Sequence, residues 1–176
     1  MGLHASYYPI PPTTLAEFLT NWHSEDFWKE ISKFREEATK KGQEFYIGTK
    51  WHVLDFIINP PDACLPELVY AVRGHEFPAP DGSIRLEPHL PSYDDEYWQI
   101  FTYVTAEEVK AIAQHLPLID ESEFNSRFDP EKMTRIYRAP LEAEENKKEY
   151  LALLMSFQDF YRTVGSNGLA VLIITG

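Results

Sequence analysis

The chain has 176 residues, 44% apolar and 14% aromatic, enough buriable surface for one domain and too apolar for a disordered segment. Its 28 acidic against 16 basic residues leave a formal charge of −12. That charge repels a nucleic-acid backbone or an anionic membrane and directs any charged association toward a basic protein.

The single cysteine, Cys64, excludes an internal disulfide. No basic segment leads into an apolar run near the start of the chain, so the expected compartment is the reducing cytoplasm. Apolar runs such as Leu169 to Ile174 are far shorter than the about 20 residues a bilayer requires. The start, Met1-Gly2-Leu3-His4-Ala5-Ser6, fits a loose acylation pattern, but one acyl chain without a polybasic stretch holds a membrane only marginally.

Leu3 to Ile10 is short, rich in tyrosine and closed by Pro11-Pro12, which predicts an opening strand. Thr14-Leu15-Ala16-Glu17 has capping-box spacing and predicts a helix with Leu15, Phe18 and Leu19 inward. A second helix is capped by Ser24 and stopped at Gly42. Its apolar stripe is Phe27, Ile31, Phe34 and Ala38, and its wet face carries the pairs Glu36 to Lys40 and Glu37 to Lys41. From Thr49 to Asn59 the residues Trp51, Val53, Leu54, Phe56, Ile57 and Ile58 leave almost no polar arc. A helix there must be largely buried, and Pro60 ends it.

A short helix is predicted from Pro66 through Leu68, Val69 and Val72 to Gly74. Seven of the 13 prolines lie between Pro60 and Pro91, and a long Pro-rich surface loop is expected at about 74–97, with Asp81-Gly82 able to turn a small hairpin. Trp98 to Val104 reads as a strand, followed by a capping box, Thr105-Ala106-Glu107-Glu108, whose helix buries Val109, Ile112, Ala113 and Leu116. Two short helical pieces follow, from Glu123 to Phe128 and from Asp129-Pro130 to near Tyr137. The longest helix runs from about Glu144 to Val164, with Tyr150, Leu151, Leu154, Phe157, Tyr161 and Val164 inward and Gly165 as its terminator. Leu169 to Ile174 is continuously apolar, the mark of a central strand covered on both faces.

Several of these segments, in this order, resemble the YfbM-like family, a domain of unknown function. They are Met1-Gly2 before a tyrosine-containing strand, Lys50-Trp51-His52-Val53-Leu54-Asp55-Phe56, Tyr103-Val104-Thr105-Ala106-Glu107-Glu108-Val109, Arg127-Phe128-Asp129-Pro130-Glu131-Lys132-Met133 with Ile136-Tyr137, and the closing Leu169 to Gly176. The similarity covers nearly the whole chain. It implies a single α+β domain over residues 1–176, a small mixed sheet containing both terminal strands packed by several helices. It implies no activity.

No two of the six histidines stand at a spacing typical of metal-binding pairs on one element, so no metal site is expected. No Gly-rich phosphate cradle is present, and no cofactor is expected. The candidate catalytic pair is His52 and Asp55, three apart on the apolar helix, where a carboxylate could orient an imidazole as a general base. Their structural alternative has Asp55 holding backbone amides or an arginine such as Arg73, with His52 satisfying a core carbonyl. Candidate binding residues are Arg73, His75 and Glu76, beside the long loop, and Trp51, which could line a ligand cleft. Cys64 reads as an inert packing thiol, and Trp22, Trp28, Trp51 and Trp98 as core.

Two functions are consistent with these residues. One is a non-catalytic module whose acidic faces, Asp120, Glu121 and Glu123 with Glu142, Glu144 and Glu145, meet a basic protein. The other is a small hydrolase using His52 and Asp55 in a loop-covered cleft, though no G-x-S-x-G nucleophile elbow is present.

Overall fold

The computed structural model describes residues 4–24, 26–62, 64–77, 100–133 and 144–176. Its strands are β1 (Ala5–Ile10), β2 (Phe45–Gly48), β3 (His75–Glu76), β4 (Ile100–Val104) and β5 (Ala170–Thr175). Its helices are α1 (Pro12–Asn21), α2 (Phe27–Lys40), α3 (Trp51–Ile58), α4 (Ala106–His115), α5 (Glu121–Arg127), α6 (Pro130–Met133) and α7 (Glu144–Ser166).

The strands form one sheet in the order β2-β1-β5-β4-β3. Because β5 is apolar at successive positions, both of its faces must be covered, and they are. Val171 and Ile173 point into a core with α3, α4 and α7, while Ala170, Leu172 and Ile174 point into a second core with α1 and α2. Strand β1 alternates in the same way, Ala5 and Tyr7 on one side and Tyr8 and Ile10 on the other. Both terminal strands therefore lie side by side, with Tyr7 opposite Ile173 and Tyr8 opposite Leu172. Paired backbone bonds of His4 with Gly176 extend the ladder by one step.

The sequence predicts a mixed sheet, and here the structure corrects it, for every described pairing is antiparallel. The unbroken apolar run of β5 reflects two helical layers, not parallel pairing. Strand β2 has no counterpart in the sequence prediction, since Phe45-Tyr46-Ile47-Gly48 is too short to show a period.

Local signals held where two agreed. Helix α4 opens on the expected capping box, the Thr105 hydroxyl accepting from the Glu108 amide and the Glu108 carboxylate from the Thr105 amide. Helix α2 ends on Gly42 at φ +66°, with the Gln43 amide reaching back to the Ala38 carbonyl at 2.9 Å. Ser24 accepts from the Phe27 amide at its start, and Glu36 pairs with Lys40 on its wet face.

Other boundaries moved. Thr14 is no cap: α1 begins at Pro12, whose fixed φ suits the first helical position. Helix α7 continues through Gly165 and ends before Gly168, at φ +65°. Gly165 serves close packing instead, because a Cβ there would stand 3.3 Å from the Ala113 Cβ of α4. The helix expected from Pro66 is one 3-10 turn, Pro66–Leu68, followed by turns up to Arg73. Most of the loop expected at about 74–97, with its Asp81-Gly82 hairpin, lies outside the described residues, as do Trp98, Tyr137 and Glu142. Among the described residues, no helix is long and apolar enough to cross a membrane.

Replacing Ile173 by alanine should lower the unfolding free energy by about 2–5 kcal/mol, the usual cost of a cavity at a fully packed aliphatic position. Urea denaturation followed by circular dichroism measures this, and a loss below about 1 kcal/mol would place Ile173 outside a packed core.

Candidate functional site

The segment from Tyr70 to His75 is held residue by residue. From α7 the Tyr161 hydroxyl donates to the Ala71 carbonyl at 2.5 Å, and from β1 the Tyr7 hydroxyl donates to the Val72 carbonyl at 2.7 Å. Both phenols are fully buried, and burial pushes their ionisation up. The charge of Glu108 adds to this at Tyr161, and Tyr161 and Asp55 add to it at Tyr7. Arg73 Nε donates to Asp55 Oδ2 at 2.6 Å. Gly74 has φ +65°, and a Cβ there would lie 2.8 Å from the Tyr103 carbonyl oxygen, so the chain turns here only with glycine. His75 Nε2 pairs with Glu108 Oε1 at 2.5 Å.

The structure brings together four of the sequence-predicted site residues. Asp55 is buried in α3, and its second oxygen accepts from Asn59 Nδ2 at 3.0 Å. The Arg73 guanidinium lies 5.9 Å from the centre of the Trp51 ring. The His52 ring stacks on the same Trp51 ring, at 3.5 Å between centroids. Desolvation lowers the pKa of His52, and the Arg73 charge lowers it further against an opposing pull from Asp55. Among the described contacts no hydrogen bond joins His52 to Asp55. The carboxylate expected to orient the imidazole faces Arg73 and Asn59 instead, the arrangement of the structural alternative.

A histidine–carboxylate pair does exist, at His75 and Glu108. Burial raises the Glu108 pKa, but hydrogen bonds from His75 and from Thr105 outweigh it and the net shift is downward. The His75 ring stacks on Tyr70 at 3.5 Å. Sequence reasoning found His75 and missed its partner, which lies 33 residues further on and reads locally as a capping-box residue. The available signal is topological: β3 pairs His75 with Tyr103, which lies in β4 two residues before Thr105, the N-cap of α4. Glu76 is exposed on the edge strand and takes no part in this pair.

A cleft of about 710 Å³ opens beside the far end of α3. Phe56, Pro60 and Pro61 form its apolar wall; Asp62, Glu123, Asp129 and Glu131 bring four carboxylates against two basic residues, Arg127 and Lys132. Arg127, which the sequence did not single out, donates through Nη1 to the Ile57 and Ile58 carbonyls at 3.0 and 3.1 Å and through Nε to Glu123 at 2.7 Å. It thereby satisfies the last turn of α3 from outside.

Two expectations fail at the surface. Cys64 is exposed, its Sγ 3.4 Å from Asn59 Oδ1, because the proline-flanked turn carrying it runs outside the core. Trp28 is 53% exposed on the outer side of α2, and Trp22 and Trp51 are only half-buried. Among the described residues no group of three or more His, Cys, Asp or Glu is placed to hold a metal ion.

The model of a family described as a domain of unknown function, DUF1877, matches residues 1–174. The chain belongs to this family. Its DUF1877 fold is shared with YfbM, a protein of unknown function from Escherichia coli whose crystal structure aligns over 98% of this chain and 99% of that one. The TM-score is 0.55 and the sequence identity 16%, so the likeness is one of fold. No curated protein matches the chain.

The Glu108 shift sets a pH dependence. A carboxylate whose folded pKa lies below its unfolded value of 4.5 contributes stability that is present above that value and lost as pH falls through the folded one. Urea midpoints measured from pH 7 down to pH 3 should therefore fall less steeply below about pH 4.5 in Glu108→Gln than in the wild type. Parallel curves would show that Glu108 makes no net favourable interaction.

Separately, Tyr161→Phe should cost about 1–2 kcal/mol, the penalty of leaving the buried Ala71 carbonyl without its donor. Chemical denaturation tests it, and an unchanged stability would mean that the carbonyl is satisfied in another way.

Proposed function

We propose that this DUF1877 protein is a non-catalytic acidic interaction module that binds a basic protein partner. The observation that carries this is the cleft at the end of α3, where four carboxylates outnumber two basic side chains beside an apolar wall. Asp120 and Glu121, exposed at the start of α5, continue the acidic surface. Lysine and arginine side chains bury their stems against apolar surface while their charged ends meet carboxylates, which suits such a wall and rim.

The overall charge of −12 works in the same direction, by steering a cationic partner at a distance. Asp55 and Glu108 are occupied by Arg73 with Asn59 and by His75 with Thr105, whereas in the cleft Glu123 and Asp129 meet Arg127 and Lys132 at a rim where carboxylates remain in excess.

Binding of a panel of basic proteins, measured by surface plasmon resonance at low and high salt, tests the reading. A true partner should lose about tenfold or more in affinity when salt rises from about 50 to 500 mM, with the change mainly in the association rate. The double substitution Asp62→Lys with Glu121→Lys, at exposed positions, should weaken binding while leaving the fold intact. Association that is insensitive to salt and to this double substitution would contradict the proposal.

A further inference from the structure

Arg73 is a cation fixed in place in a strongly acidic protein. Its Nε is engaged by Asp55, a carboxylate with 11% side-chain exposure, while its own side chain is 64% exposed. One oxygen of Asp55 goes to Nε and the other to Asn59, so the ion pair uses one edge of the guanidinium. Among the described residues Nη1 and Nη2 have no acceptor.

The guanidinium carbon stands over the Trp51 ring at 5.9 Å from its centre, and the backbone carrying it is locked on both sides, by Tyr7 at Val72 and by the tight Gly74 turn. A guanidinium held this way loses little conformational freedom when its free fork accepts a ligand. Beside it His52 is stacked on the same indole, near enough for the Arg73 charge to depress its protonation.

We propose that the outward fork of Arg73, seated on Trp51 and flanked by His52, is a binding site for an oxyanion, a carboxylate or a phosphate. The two terminal amino groups would each donate to one ligand oxygen, the planar geometry that favours arginine over lysine at such sites. His52 lies alongside as a second donor that gains its proton when the anion arrives. Asp55 supplies the opposing charge, but its described bond is to Nε, so it holds the cation without engaging either terminal amino group. The site is separate from the acidic cleft and goes beyond the interaction proposed there.

The test is a titration of the full chain, isotopically labelled, with inorganic phosphate and with acetate, against sodium chloride at equal ionic strength. The Arg73 Nε–H and His52 ring signals are followed by NMR. Saturable shifts at both residues that chloride does not reproduce, with the His52 midpoint raised by the bound anion, are expected. Saturation by phosphate alone, acetate alone or both supports the site and identifies the chemistry it takes.

Arg73→Lys keeps a charge for Asp55 but loses the fork, and should weaken binding by about tenfold. Shifts that chloride matches at equal ionic strength, or a correctly folded Arg73→Lys that binds as the wild type does, would overturn the proposal. Should that variant fail to fold, the wild-type titration against chloride decides alone.

Discussion

The structure depends on one strand that has no wet face. β5 presents side chains of Ala170, Val171, Leu172, Ile173 and Ile174, all buried, to both sides of the sheet. A strand of this kind is stable only between two apolar layers. The need for those layers fixes the third position of β5 among five strands, places β1 beside it and puts α1 and α2 on one face with α3, α4 and α7 on the other. Aromatic residues complete the contact, as where the Tyr7 ring meets Phe157 edge-on at 5.2 Å.

From that packing the candidate site follows. Tyr7 leaves β1 on the same face as Val171 and Ile173, and Tyr161 leaves α7 toward the same layer. Both are large enough to reach past the core to the carbonyls of Ala71 and Val72. The segment from Tyr70 to His75 is thus anchored from two separate elements before its own side chains pair with α3 and α4. Buried hydroxyls in an apolar core are tolerated because each has an acceptor. Among the described residues no buried side-chain nitrogen or oxygen lacks a partner. What the anchoring provides is a rigid base under Arg73 and His75.

Much of the fold was legible wherever a local rule and a packing rule agreed. The apolar stripe of α2 came with a left-handed glycine after it, the stripe of α4 with a capping box before it, and the buried run of β5 with helices enough for both faces. Where a single local signal stood alone it misled. The Thr14 spacing gave way to Pro12, whose backbone is already shaped for a helix start. Gly165 was read as a stop when its missing side chain serves the contact with Ala113.

The site was less legible, since its pairs lie far apart along the chain. Asp55 with Arg73 is one of the options the sequence leaves open, beside backbone amides and the catalytic pairing with His52. His75 with Glu108 is not among them, because Glu108 has a sufficient local role in the capping box. Arg127, reaching across 69 and 70 residues to the carbonyls of Ile58 and Ile57, opens one of the family-like segments, but nothing in that segment points to this contact.

Hydrogen exchange of the backbone amides tests the central position of β5 most directly. The amides of Val171 to Ile173 should exchange only through global unfolding, with free energies equal to that from urea denaturation, while those of the edge strand β2 exchange through smaller openings. Exchange in β5 as fast as in β2 would show that the strand is not the element on which both cores depend.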